Sequence, residues 1–255
     1  MTGWRVRAAE APFECLRSEP DPVAWVEARA GRVHRDLPTR RTFEFEHAGA
    51  RWFAKIHRGV GERELLKNLL VLRLPVFGAE AELQAIARLD AAGLPTLSVA
   101  AWGVSRDLLP TRRRSFLVTR AVEHEETLED RARAPLLEPG ERRDRIRALA
   151  GLVRRMNDAG VNHRDLYLVH VLLCSDGLRL IDLHRAQVRG AVPRRWRAKD
   201  LAALAFSARA TGALGPADER RFVACYARGA LRRDEDFWRD VERRAARMAQ
   251  RGAQG

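Results

Sequence analysis

The stretch from Asn162 to Asp182 constrains this chain more than any other. His163-Arg164-Asp165 forms a charged turn after a long amphipathic helix, and the apolar run Val171-Leu172-Leu173-Cys174 follows it. Ser175-Asp176-Gly177 then reverses the chain, Asp-Gly being a strong hairpin signal. Leu178-Arg179-Leu180-Ile181 returns and ends at Asp182. A hairpin this short brings its outer ends together, so His170 and Asp182 are expected roughly opposite each other, with Asp165 a few residues outside. Two carboxylates and two imidazoles, His163 and His170, thereby gather from about twenty residues of sequence. That grouping suits a metal-assisted transfer reaction.

The rest of the chain divides by period. Thr42-Phe43-Glu44-Phe45-Glu46 alternates, the turn His47-Ala48-Gly49-Ala50 follows, and Arg51 to His57 returns, with Lys55 between apolar neighbours. Arg32–Arg35, Leu97–Val104 and Ser115–Thr119 read as further strands, which makes a five-stranded antiparallel sheet over residues 31–120. Before it, residues 1–30 read as an extended segment and a short helix over Val23–Ala30. Gly61–Leu72 and Ala79–Ala92 read as helices, the second closed by Gly93 and Pro95. On that helix Glu82 shares a face with Ile86 and Leu89, where a carboxylate is costly unless paired, and Lys55 is the natural partner; a place at the stripe's edge, in water, is the alternative.

After residue 122 nearly everything is helical except the hairpin. Glu141–Ala159 is strongly amphipathic, Lys199-Asp200-Leu201 opens an apolar helix, and Pro216–Leu231 and Phe237–Arg251 are two more. The expected architecture is α+β and two-lobed, with an antiparallel-sheet lobe at 1–122 and a helical lobe at 123–255.

Charge narrows the partners. The chain has 255 residues and a net charge of +13, which favours an anionic partner. Only Lys55, Lys67 and Lys199 are lysines; the other 44 basic side chains are arginines. The pattern looks like coding bias towards arginine, so the surviving lysines mark places where a compact ammonium cannot be exchanged for a planar fork. A nucleic-acid binder is a remote alternative, since no helix-turn-helix, RNA-recognition aromatic pair or zinc spacing is present. The three cysteines have no metal spacing, no run approaches the length of a membrane span, and no signal peptide opens the chain. These point to a cytoplasmic protein.

A lysine in a strand, a glutamate in the next long helix, a His-Arg-Asp turn, a hairpin and then an aspartate follow the order of a protein-kinase-like phosphotransferase. His170 stands five positions after Asp165, where kinases carry a metal-binding Asn, and Asp182 stands 17 positions after it. The chain resembles more closely the lipopolysaccharide core kinases of the Kdo/WaaP family. Thr39-Arg40-Arg41-Thr42, Phe53-Ala54-Lys55-Ile56-His57-Arg58-Gly59, Lys67-Asn68-Leu69-Leu70, Gly160-Val161-Asn162-His163-Arg164-Asp165, Ile181-Asp182-Leu183-His184-Arg185-Ala186-Gln187 and Val192-Pro193-Arg194-Arg195-Trp196-Arg197 carry the likeness.

The resemblance implies phosphorylation of heptose I of the lipopolysaccharide inner core, with ATP and Mg²⁺ as cofactors. It implies Asp165 as base, Lys55 on the ATP phosphates with Glu82 orienting it, and Asp182, with His170 as a further candidate, on the metal. Arg40 and Arg41 would replace the backbone contacts of a glycine-rich loop. His163, Arg164 and Asp200 would support the catalytic turn, Asp200 with its place at a helix start as the alternative reason for its presence. Arg185, Arg189, Arg194, Arg195 and Arg197 would bind an anionic acceptor, the lipid A–core glycolipid, with peripheral contact at the inner-membrane surface. No nucleic acid is expected. A kinase of Kdo, of heptose II or of protein tyrosine is the alternative, although no Ala-Pro-Glu motif or long activation loop follows Asp182.

Overall fold

The computed structural model describes residues 3–59, 78–107, 109, 111–134 and 138–252. The expected helix Gly61–Leu72 and the Lys67–Leu70 stretch lie outside these. The chain divides into two compact units. Met1–Leu83 with Leu97–Val122 form the first, and Gln84–Thr96 with Glu123–Gly255 the second. Among the described residues no helix is long and apolar enough to cross a membrane.

The first unit is an antiparallel sheet of β1 (Trp4–Ala8), β2 (Gly31–Leu37), β3 (Arg40–His47), β4 (Ala50–His57), β5 (Val99–Ser105) and β6 (Ser115–Arg120), ordered β1-β5-β6-β4-β3-β2. Five strands were expected. The sixth is β1, whose residues Trp4, Val6 and Ala8 turn inward at every second position and pair with β5. Phe43, Phe45, Trp52, Ala54, Ile56, Phe116 and Val118 bury one face of the sheet. Phe13 closes that core, meeting Trp52 edge to face at 4.8 Å. The short helix α1 (Pro22–Glu27) starts where Asp21 accepts the N–H of Ala24.

Helix α2 (Glu80–Ala91) begins in the first unit and continues in the second. Gly93, at φ 63°, turns the chain after it.

The second unit holds α3 (Leu128–Arg133), α4 (Pro139–Asp158), α5 (Arg194–Ala210), α6 (Pro216–Tyr226) and α7 (Glu235–Gly252), with small strand pairs between them. β7 (Glu126–Thr127), β9 (Val171–Cys174) and β10 (Gly177–Leu180) make one sheet; β8 (Val161–Asn162) and β11 (Gln187–Val188) make another. Tyr226 donates its hydroxyl to Asn157, and Asn157 donates to the carbonyl of Val161, so a buried polar chain ties α6 to the end of α4. Burial pushes the Tyr226 phenol up to about 12. Gly160 lets β8 approach β11: its φ is 84°, and a Cβ there would lie 2.1 Å from the carbonyl oxygen of Arg189.

Helix starts differ from expectation at α4, which opens at Pro139 and not Glu141, and at two later helices. The last helix buries Phe237, Val241 and Ala245 within its own unit, but it opens at Glu235. The helix expected at Lys199 starts at Arg194, with Pro193 as its N-cap. Asp200 is therefore well inside α5 and fully buried, and a helix-start dipole does not account for it.

Candidate active site

In the first unit, strand pairing sets the lysine. Lys55 lies on β4 between Thr42 of β3 and Leu117 of β6. Its neighbours Ala54 and Ile56 point into the core, so Lys55 points to the other face. There its Nζ donates to Oε1 of Glu82 at 2.7 Å, with Glu82 at 1% exposure and the lysine side chain at 13%. The edge-of-stripe alternative for Glu82 is thereby excluded. Arg40 pairs with His57 and shares the Lys55 face; Arg41 pairs with Ile56 on the opposite face, 5.0 Å from the Phe43 ring centroid. Sequence reading gave Arg58 no role. It donates to Glu27, Asp36 and the carbonyl of Leu37, and its N–H bonds the carbonyl of Thr39, so it pins the β2–β3 turn.

In the second unit, the hairpin register is one step from expectation. Leu180 pairs with Val171, and the N–H of Ile181 bonds the carbonyl of His170, so Ile181 and not Asp182 lies opposite His170. The reversal uses two residues, Ser175 and Asp176, not three. Asp182 then takes a left-handed backbone conformation, φ 57°, which brings its carboxylate back beside His170. Oδ1 of Asp182 accepts from Nδ1 of His184 at 2.8 Å, and Oδ2 faces Nε2 of His170 at 3.6 Å. Nδ1 of His170 donates to the backbone carbonyl of Asp165 at 2.7 Å. The Asp165 carboxylate accepts from Nη1 of Arg185, at 2.8 Å to Oδ1 and 3.1 Å to Oδ2.

The His163-Arg164-Asp165 turn is held by Asp200. Asp200 accepts the N–H groups of His163 and Arg164 at 2.9 and 2.8 Å. Arg164 is left-handed at φ 73°, a conformation costing on the order of 1–3 kcal/mol in a non-glycine residue, which these two bonds help to maintain. His163 donates Nε2–H to the carbonyl of Ile181 at 2.9 Å and stacks on His170 at 5.7 Å. Its buried Nδ1 has no hydrogen-bond partner, so a second proton would find no acceptor. Burial accordingly lowers the His163 imidazole to about 4, and burial raises the Asp200 carboxyl to about 6 against its two backbone bonds.

These two groups make opposite contributions to acid stability. His163 lies below its unfolded value of 6.5, so its contribution is present above that pH and is lost as pH falls towards 4, on the order of 3 kcal/mol in all. Asp200 lies above its unfolded value of 3.8, so its contribution is present below that pH and is lost as pH rises through 6. The two largely cancel between pH 4 and 6. Asp200→Asn removes one of them, and urea denaturation should then lose stability more steeply than wild type on acidification from pH 6.5. Equal slopes would contradict the assignment.

Of the five acceptor arginines expected, Arg185 bonds Asp165 and Arg189 bonds Gln187. Arg194 pairs with Asp234, and Arg197 with Asp158. Arg195 stands over the Trp196 ring. Among the described residues no three His, Cys, Asp or Glu groups converge as a metal cage.

A strand lysine paired to a helix glutamate in a sheet unit, with loop and hairpin carboxylates in a helical unit, is the equipment of a protein-kinase-like phosphotransferase. The chain belongs to the lipopolysaccharide kinase (Kdo/WaaP) family, whose model matches residues 24–226. It is 45% identical to the lipopolysaccharide core heptose(I) kinase WaaP of Pseudomonas aeruginosa, over 95% of each chain. It is 39% identical to the Escherichia coli protein of that name, over 94% of this chain and 96% of the other. A solved structure of WaaP in complex with acyl carrier protein matches with a TM-score of 0.78 and 40% identity, over 95% of this chain and 98% of that one. The family and the kinase-like α+β fold expected from the sequence are borne out, and the chain is a kinase of a family that uses ATP.

Proposed function

We propose that the chain phosphorylates heptose I of the lipopolysaccharide inner core with ATP. The observation that carries this is its 45% identity, over 95% of both chains, to a protein named for that activity. Lys55, oriented by Glu82, would bind the α- and β-phosphates, and Arg40, on the same face, is the better placed of the two arginines to join it. Asp165 would orient the sugar hydroxyl and accept its proton. Arg185 would release Asp165 to that hydroxyl and bind an anionic group of the acceptor.

The donor set suits Mg²⁺ in one respect and not in another. Magnesium is bound by one or two carboxylates together with substrate phosphates and retained waters, and Asp182 provides a carboxylate. Imidazole is a poor magnesium ligand, and His170 already spends Nδ1 on the Asp165 carbonyl, so its role is to orient Asp165 and Asp182. Mg²⁺ held at Asp182 would neutralise charge on the phosphates. His163 and Asp200 would keep the turn in its strained form.

An anionic glycolipid suits the net charge of +13. The apolar face of α7 is buried in its own unit, so peripheral membrane contact would rest on charge. By likeness to the solved complex, we infer an acyl carrier protein as a protein partner.

The test offers the protein ATP, Mg²⁺ and three acceptors: Kdo–lipid A bearing heptose, the same glycolipid without heptose, and a tyrosine peptide. Phosphate is expected on the first alone. Transfer to Kdo or to the peptide with none to heptose would overturn the reading.

A further inference from the structure

Trp196, in the first turn of α5, is ringed by four cations. The Cζ atoms of Arg164, Arg189 and Arg195 lie 5.7, 5.9 and 5.3 Å from its ring centroid, and Nζ of Lys199 lies 5.5 Å from it. They come from three places in the chain: the catalytic turn, the end of β11 and α5. An indole face attracts a cation through its quadrupole, but it has no net charge to offset four of them. The nearby carboxylates Asp165 and Asp200 attract Lys199 but are shared with other donors. Asp165 is engaged by Arg185, and Asp200 by two backbone N–H groups. Among the described residues Arg189, Arg195 and Lys199 have no carboxylate within ion-pair distance. The first turn of α5 has no acidic residue, so the positive end of the helix adds to the excess. Lys199 registers it: burial, Arg164 and Arg185 lower its ammonium, against Asp165 and Asp200.

Like charges gathered and partly desolvated in this way repel one another until an anion joins them. Lys199 is also one of three lysines among 47 basic residues, where arginine is otherwise the rule. A compact ammonium fits one oxygen of a tetrahedral group, beside the flat forks of Arg164 and Arg195.

We propose that Arg164, Arg195 and Lys199, arrayed on Trp196, form an anion subsite beside Asp165 that takes a phosphate or carboxylate group of a substrate. The subsite deepens the kinase reading and rests on it for the identity of the substrate, while anion binding itself does not require it. It narrows the acceptor arginines as well, because Arg194 and Arg197 are held by Asp234 and Asp158.

The test measures binding of inorganic pyrophosphate by titration calorimetry to the wild-type chain, Arg195→Met, Lys199→Met and Arg147→Met. Arg147 is exposed on α4 and serves as the control for loss of one positive charge. Losing one charge-assisted contact should weaken binding by a factor of about 10 in Arg195→Met and Lys199→Met, and Arg147→Met should bind as wild type does. Equal affinity in all four proteins would overturn the subsite, whatever their activity. Transfer assays then assign the anion. A raised acceptor KM in Lys199→Met with an unchanged ATP KM places it on the acceptor, and the reverse places it on the nucleotide; either supports the subsite. Wild-type protein that binds pyrophosphate through Lys199 but phosphorylates no sugar would keep the subsite and overturn the kinase reading.

Discussion

Asp165→Asn should lower kcat for sugar phosphorylation by about 10²–10⁴-fold, the usual contribution of a positioned general base. An amide keeps the size of the side chain and one acceptor oxygen, but it cannot take the hydroxyl proton. Folding stability should change little. Among the described residues the carboxylate pairs with Arg185, whose side chain is 46% exposed, and such half-exposed pairs contribute about 0–1 kcal/mol. The KM for ATP should also hold. Steady-state kinetics beside a denaturation curve checks both, and an active Asp165→Asn enzyme would remove Asp165 from the chemistry.

Lys55→Met should fail twice, in stability and in catalysis. Glu82 is buried at 1% exposure, and taking away its ammonium partner leaves a carboxylate in the interior, a loss of about 3–5 kcal/mol. The same change removes the proposed contact to the ATP phosphates, so kcat/KM for ATP should collapse. The double variant Lys55→Met, Glu82→Gln separates the two effects. It should recover much of the stability, because an amide tolerates the site better than a lone charge, while activity stays lost. Recovery of both together would mean that Lys55 only supports the fold. Urea denaturation and ATP-dependent transfer, measured on the same preparations, give the answer.

The parts of the fold carried by strict periodicity were legible. The alternation in Thr42–Glu46 placed β3, and with it the strand holding Lys55; the apolar spacing of Ile86 and Leu89 pointed Glu82 towards that lysine. The Trp4–Ala8 strand was harder to read, because three inward residues in a five-residue stretch, one of them only an alanine, are a weak period. The start of α5 was hidden by its own composition. Arg194, Arg195 and Arg197 read as a basic segment ahead of a helix, since cations are unfavourable at a helix N-terminus. Tertiary contacts account for what remained illegible at the site. The left-handed backbones of Arg164 and Asp182 are not signalled by residue type, as glycine would signal them. Asp200 holds one of them through two backbone bonds across a separation of 36 residues or more, and only a folded chain reveals that it is buried. The cations around Trp196 likewise assemble from separate segments.

The most direct measurement is transfer of labelled γ-phosphate from ATP to heptosylated Kdo–lipid A by three proteins of equal folded fraction: wild type, Asp165→Asn and Asp182→Asn. The account predicts label on the heptose with wild type and a drop of about 10²-fold or more in each variant. Label transferred by the variants at the wild-type rate, or no label transferred by wild type, would contradict it.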